Sequence, residues 1–172
     1  MTSLNSSFEA NEDSILLGTD RVKLQEDKSI WGYLGQEVTY FYQHDHRSNT
    51  KKLISFALEN NKIVTLTESS INEVSDNAVE YLSDENGKIR KLYYNVETDI
   101  VYNGGRDAVN LKEKLENLSG TARFIDNDAD GKLDVIIIDD YRYDAIHSTD
   151  LAEETIYFGG VNINLEEAYG FV

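Results

Sequence analysis

The chain has 172 residues, 32 of them acidic and 16 basic, for a formal net charge of −16; 40% of it is hydrophobic, and it contains neither cysteine nor proline. That charge opposes the phosphates of nucleic acid and the face of an anionic membrane, and the absence of thiols excludes disulfides, thiolate zinc sites and cysteine nucleophiles. No stretch approaches the roughly 20 apolar residues of a membrane span, and the hydrophobic content suffices for one globular domain or two small modules sharing an interface.

Residues 1–20 read as a polar N-terminal arm or a first strand. Their opening carries neither a basic nor an apolar signal region, so a protein working outside a cell would have its signal on a longer parent or leave by another route, such as release at lysis. Short β-type alternations follow over 21–24, 37–42, 52–58 and 62–67, separated by Gly, Asn, Asp and Ser. They predict a mainly β fold of small barrel or sandwich-like modules, with a meander or barrel subdomain over 21–105. Trp31, Tyr33 and the run Tyr40-Phe41-Tyr42 offer a sugar-stacking surface, although aromatics in strands more often fill a core. His44-Asp45-His46 offers two imidazoles to a metal, yet its place between Tyr42 and Lys51 reads first as a solvated turn.

Asn86-Gly87 supplies the positive φ of a hairpin turn between Tyr81-Leu82 and 89–94, and Asn103-Gly104 supplies a second. One short helix is expected over about 107–118, with Asp107 as N-cap, Ala108, Leu111, Leu115 and Leu118 on one face, and Ser119-Gly120 at the stop. The remainder, 106–172, forms a second subdomain unless the two are one continuous domain. Asp139, Asp140 and Asp144 beside Tyr141, Arg142 and Tyr143 can be read as a carboxylate pair over an aromatic platform, or as a charged strand edge. Segment 155–165 reads as a closing hairpin.

The densest chemical signal is Asp126-Asn127-Asp128-Ala129-Asp130-Gly131-Lys132-Leu133-Asp134, the pattern D-x-D-x-D-G-x-x-D. It gathers the carboxylates of Asp126, Asp128, Asp130 and Asp134 and the backbone carbonyl of Lys132 around a tight turn. Ca²⁺ takes 6–8 oxygens at about 2.3–2.6 Å, and glycine at the sixth position permits the turn that wraps the chain around it. An EF-hand would need a bidentate Glu at the twelfth position and flanking helices; here that position is Ile137, and the flanks 121–125 and 135–138 are β-branched and aromatic. The loop is therefore expected at the tip of a β-hairpin, with the leucine stripe of the helix packed beneath it. Such a loop has no helix pair to swing open, which points to a structural ion.

Ala10-Asn11-Glu12, then 33–38, 100–104 and above all 120–136 occur in an order that resembles a β-rich module of large bacterial surface proteins that also carry S-layer homology repeats, in clostridia and related spore-formers. The resemblance spans most of the chain. Loops of that family commonly have Gly where this chain has Ala129, a position that ligates nothing. The chain has no S-layer homology repeats and no secretion signal, which fits an excised module or a free-standing relative such as a virion component of a phage infecting such bacteria. The resemblance implies a structural or adhesive role and no catalysis.

The expected protein is a non-enzymatic, Ca²⁺-stabilised structural module, extracellular, on a bacterial cell surface or in a virion. Its expected partners are copies of itself or neighbouring structural proteins, with neither nucleic acid nor membrane. A glycan- or cell-wall-binding adhesion module is one alternative, and an acidic mimic of nucleic acid that inhibits a DNA-binding enzyme is another. Against mimicry, charge is gathered at one loop where a cation would cancel it.

Overall fold

The computed structural model describes residues 13–26, 28–83, 87–106, 110–141, 146–150, 155–158 and 161–164. They are mainly β, as the alternations predict, with one short α-helix among the described residues. The chain separates into two units, Met1–Asp140 and Tyr141–Val172.

In the first unit, β1 (Ser14–Leu17), β2 (Asp20–Lys23), β3 (Val38–Asp45) and β4 (Thr50–Leu58) form a sheet in the order β1-β2-β4-β3. Within the segment 1–20, residues 14–17 are a strand, and 1–12 lie outside the described residues. A tight turn at Gly18, φ 63°, joins β1 to β2. Because β4 lies between β2 and β3 in the sheet, the chain must cross over its end between β2 and β3. The crossover carries a 3₁₀ turn, Ser29–Tyr33, whose Ile30 is buried with Ile15, Leu17, Val22, Val38 and Leu53.

The central sheet contains β5 (Lys62–Leu66), β9 (Asp99–Tyr102), β10 (Thr121–Asp126) and β11 (Val135–Asp139) in the order β5-β10-β11-β9. The expectation placed a boundary near 105/106; this sheet takes two strands from each side of that position. Strands covered on both faces read as unbroken apolar runs, and Val135, Ile136, Ile137 and Ile138 are such a run, all buried. On one face Phe124, Ile136 and Ile138 meet Leu111, Leu115 and Leu118, together with Val79 and Tyr81. On the other, Ile125, Val135 and Ile137 meet Val101 and Leu34. Full burial of each such side chain contributes about 1.5–3 kcal/mol, so the hairpin that carries the acidic loop is among the best-anchored parts of the unit.

The helix, α1 (Leu111–Glu116), is shorter than expected: Asn110 caps it by accepting the Glu113 N–H at 3.4 Å, and Leu118 lies past its end while remaining in the same core. The anticipated cap, Asp107, and Ala108 fall outside the described residues. The leucine stripe does pack beneath the hairpin.

A third sheet pairs β6 (Ile71–Val74), β7 (Ala78–Leu82) and β8 (Ile89–Tyr93) in sequence. Gly87 has φ 62° in the β7–β8 connection, as its hairpin role requires, whereas Asn86 lies outside the described residues. At the other anticipated turn, Asn103 and Gly104 have φ 47° and 81°, and Tyr102 and Gly105 exchange two backbone hydrogen bonds of 2.9 Å. The second unit holds β12 (Ile146–Asp150), β13 (Thr155–Phe158) and β14 (Val161–Asn164), joined antiparallel, with β13 and β14 as the closing hairpin. The sheets are small and open; none of them closes into a barrel.

Candidate metal centre

Strand β10 delivers Asp126 to the mouth of the loop and β11 begins immediately after Asp134. Between them the backbone folds on its own carboxylates. Asp126 Oδ2 accepts the Gly131 N–H at 3.1 Å, Asp128 Oδ1 the Asp130 N–H at 3.0 Å, and Asp130 Oδ1 the Lys132 N–H at 2.7 Å. Gly131 sits at φ 90°, a left-handed conformation that glycine adopts without steric cost, and Ala129 at φ 61°, which an L-residue occupies only under strain.

These bonds bring Asp126, Asp128 and Asp130 together, with one carboxylate oxygen of each lying within 4.8 Å of the other two. Asp128 and Asp130 are exposed, whereas Asp126 is only 7% exposed. Its Oδ1 is buried without a hydrogen-bond partner. A buried carboxylate oxygen left unpartnered is costly, and a cation held by the trio would satisfy it.

Asp134 stands outside that trio. Its Oδ2 accepts the Asn127 N–H at 2.7 Å. Partial burial pushes its carboxyl above the ordinary range, the Asn127 hydrogen bond opposes this, and the charges of Asp128, Asp126 and Asp130 push further upward. Lys132 is exposed, with Nζ 4.0 Å from Asp130. The backbone just after it is pinned, since Leu133 N–H donates to the Tyr93 carbonyl at 2.8 Å and the Leu133 carbonyl accepts from Thr98 Oγ1 at 2.7 Å.

Asn127, between two of the clustered aspartates, carried no expectation. It is 6% exposed, donates through Nδ2 to the Gly35 carbonyl at 3.0 Å and accepts the Glu37 N–H at 2.9 Å through Oδ1. Both partners are 90 or more residues distant, so no local pattern announces them.

The other sequence candidates lie apart from the loop in role. Strand β3 runs through Asp45, so His44 lies within a strand and only His46 lies in the turn that was expected for both; the His44 and His46 rings lie 4.5 Å apart edge to face, and Asp45 is engaged by the Arg47 N–H and the Ser48 hydroxyl. Asp140 is committed on both oxygens, to Tyr102 Oη at 2.9 Å and to the Ser119 N–H at 2.8 Å. Arg142, Tyr143 and Asp144 lie outside the described residues. Trp31, Tyr40 and Phe56 pack against the first sheet's core, while Phe41 is 61% exposed. None of the helices among the described residues is long and apolar enough to cross a membrane.

No protein-family model matches the chain, and neither a curated protein nor a solved structure matches it.

Proposed function

We propose that the protein is a non-enzymatic structural module whose hairpin loop binds Ca²⁺, with Asp126, Asp128, Asp130, Asp134 and the Lys132 carbonyl as ligands. The observation that carries this reading is the buried, unpartnered Oδ1 of Asp126 inside a carboxylate trio. A loop offering this many hard oxygens suits Ca²⁺, which accepts flexible, high coordination, better than Mg²⁺, which demands a near-ideal octahedron and dehydrates reluctantly. A metal bound by the folded state alone stabilises it by mass action, about 2.7 kcal/mol at a hundredfold excess over Kd. With Kd near 10⁻⁴–10⁻³ M, as in extracellular modules, the site would fill outside a cell and stay empty in cytosol.

The resemblance to S-layer-associated modules supports a place on a bacterial cell surface or in a virion, with self-assembly or neighbouring structural proteins as partners. Commitment of both Asp140 oxygens to Tyr102 and Ser119 leaves a poor carboxylate pair for hydrolysis and supports the non-enzymatic reading. Calorimetric titration with Ca²⁺, followed by a turnover screen against peptidoglycan, glycan and nucleic acid, tests both halves. Absence of Ca²⁺ heat, or turnover lost in Asp140→Asn, overturns the corresponding half. The exposed ring of Phe41 favours glycan adhesion as a second reading, and glycan-array binding lost in Phe41→Ala would establish it.

A further inference from the structure

Asn127 is flanked by two members of the carboxylate trio, Asp126 and Asp128. Its own side chain leaves the loop and reaches the opposite face of the hairpin, the face that carries Ile125, Val135 and Ile137. There it holds the Gly35 carbonyl at 3.0 Å and is the nearer of two acceptors of the Glu37 N–H, at 2.9 Å against 3.1 Å for Asn61 Oδ1, at the point where the chain enters β3. Gly35 lies against that face so closely that a Cβ on it would stand 3.0 Å from both Ile125 Cδ1 and Ile137 Cδ1, at φ +83°. The first sheet is therefore tied to the central hairpin through a residue whose two neighbours are candidate cation ligands.

We propose that Asn127 is a positioning residue that makes cation binding in the loop and seating of the 34–37 segment on the hairpin one coupled event. The inference rests on the calcium reading above. An ion that fixes Asp126 and Asp128 also fixes the backbone from which the Asn127 side chain projects. The two bonds that this side chain makes are then held in register. Its backbone N–H is engaged as well, by the closing carboxylate Asp134, so the same residue is bonded both to the loop and to the 35–37 segment. Coupling between two sites is reciprocal: if the ion favours the seated segment, a disturbed segment must weaken the ion by the same factor. Gly35→Ala makes such a disturbance without touching a ligand oxygen.

The test combines Ca²⁺ calorimetry on the whole protein with NMR exchange of the Glu37 amide and the Asn127 Nδ2 protons, with and without saturating Ca²⁺. In the wild type, Ca²⁺ slows exchange at both positions. In Gly35→Ala, Ca²⁺ affinity falls about fivefold or more, the lower end of ordinary coupling. In Asn127→Ala, Ca²⁺ still binds, more weakly, and no longer slows exchange at Glu37. Wild-type protein that binds Ca²⁺ with unchanged exchange at both positions overturns the coupling and leaves the metal reading intact. Wild-type protein that binds no Ca²⁺ overturns both. The wild-type measurement needs no variant, so it decides even where Gly35→Ala fails to fold.

Discussion

The Asp134 carboxylate closes the loop on Asn127, accepting its backbone N–H at 2.7 Å while the Asp134 N–H donates to the Ile125 carbonyl at 2.9 Å. The two ends of the acidic turn are thereby latched, and the fourth carboxylate is held near the other three. Removing either a member of the trio or the closing ligand should cancel what the ion adds. Asp128→Ala and Asp134→Ala are each expected to abolish the calcium-dependent part of the stability, and His46→Ala to leave it intact. Calorimetric titration of the three variants checks this; Asp134→Ala binding like the parent would remove it from the ligand set.

Asp134 also sets a pH signature. Its folded-state pKa lies above the ordinary value of 3.8, so without an ion the folded chain takes up that proton more readily than the unfolded one. The group then detracts from stability above its folded pKa, and the penalty is withdrawn as pH falls toward the unfolded value. A cation binds the ionised form and reverses the sign, so its contribution is lost as pH falls through the folded pKa. The melting increment produced by Ca²⁺ should shrink on acidification from neutrality, beginning above the ordinary carboxylate range. Asp20, held low by Lys51 and Tyr40, and Asp45, held low by the Arg47 N–H and Ser48, lose their contributions only further down. Paired thermal scans subtract them, and an increment unchanged down to about pH 4, near the unperturbed carboxyl, contradicts the assignment.

Gly120 admits no side chain. A Cβ there would stand 1.9 Å from the Asp139 carbonyl oxygen, part of a backbone held by the pairing of Thr121 with Asp139. Gly120→Ala should destabilise the first unit by about 3 kcal/mol, the upper part of the usual overpacking range, because the obstacle is backbone. Urea unfolding measures it, and a loss within about 0.5 kcal/mol, the scale of a neutral surface change, would mean that the β10–β11 entry is laxer than described.

Ala129 at φ 61° is the reverse case. A left-handed L-residue costs roughly 1–2 kcal/mol, and glycine gives back part of that through a freer unfolded chain. Ala129→Gly should therefore stabilise the loop by about 0.5 kcal/mol and leave Ca²⁺ affinity equal or tighter, as read by thermal unfolding and titration. A destabilised Ala129→Gly would show that the strain is absent.

The loop and its hairpin were legible because their signals are local: aspartates at alternate positions, a glycine that must turn, and the apolar run from Val135 to Ile138 flanking them. The Asn103-Gly104 turn was legible for the same reason. Strand β6 was not, since Ile71-Asn72-Glu73-Val74 has a polar centre and gains its place by pairing with β7. Strand β9 pairs parallel with β11, a partner no hairpin signal identifies. The helix start was misjudged because Asp107 and Asn110 are both good caps, and the observed cap is the second. Asn127 was missed because its partners, Gly35 and Glu37, are remote in the chain and meet it only once two sheets have formed.

The central claim is that a cation in the Asp126–Asp134 loop stabilises this fold, and the most direct measurement is thermal unfolding in chelator against about 10 mM Ca²⁺, with Mg²⁺ as control. At Kd of ~10⁻⁴–10⁻³ M the ion contributes about 1.4–2.7 kcal/mol, which raises the Tm of a chain of this size by roughly 3–10 °C, while Mg²⁺ gives little of that shift. Curves that superimpose in chelator and in Ca²⁺ would contradict the account.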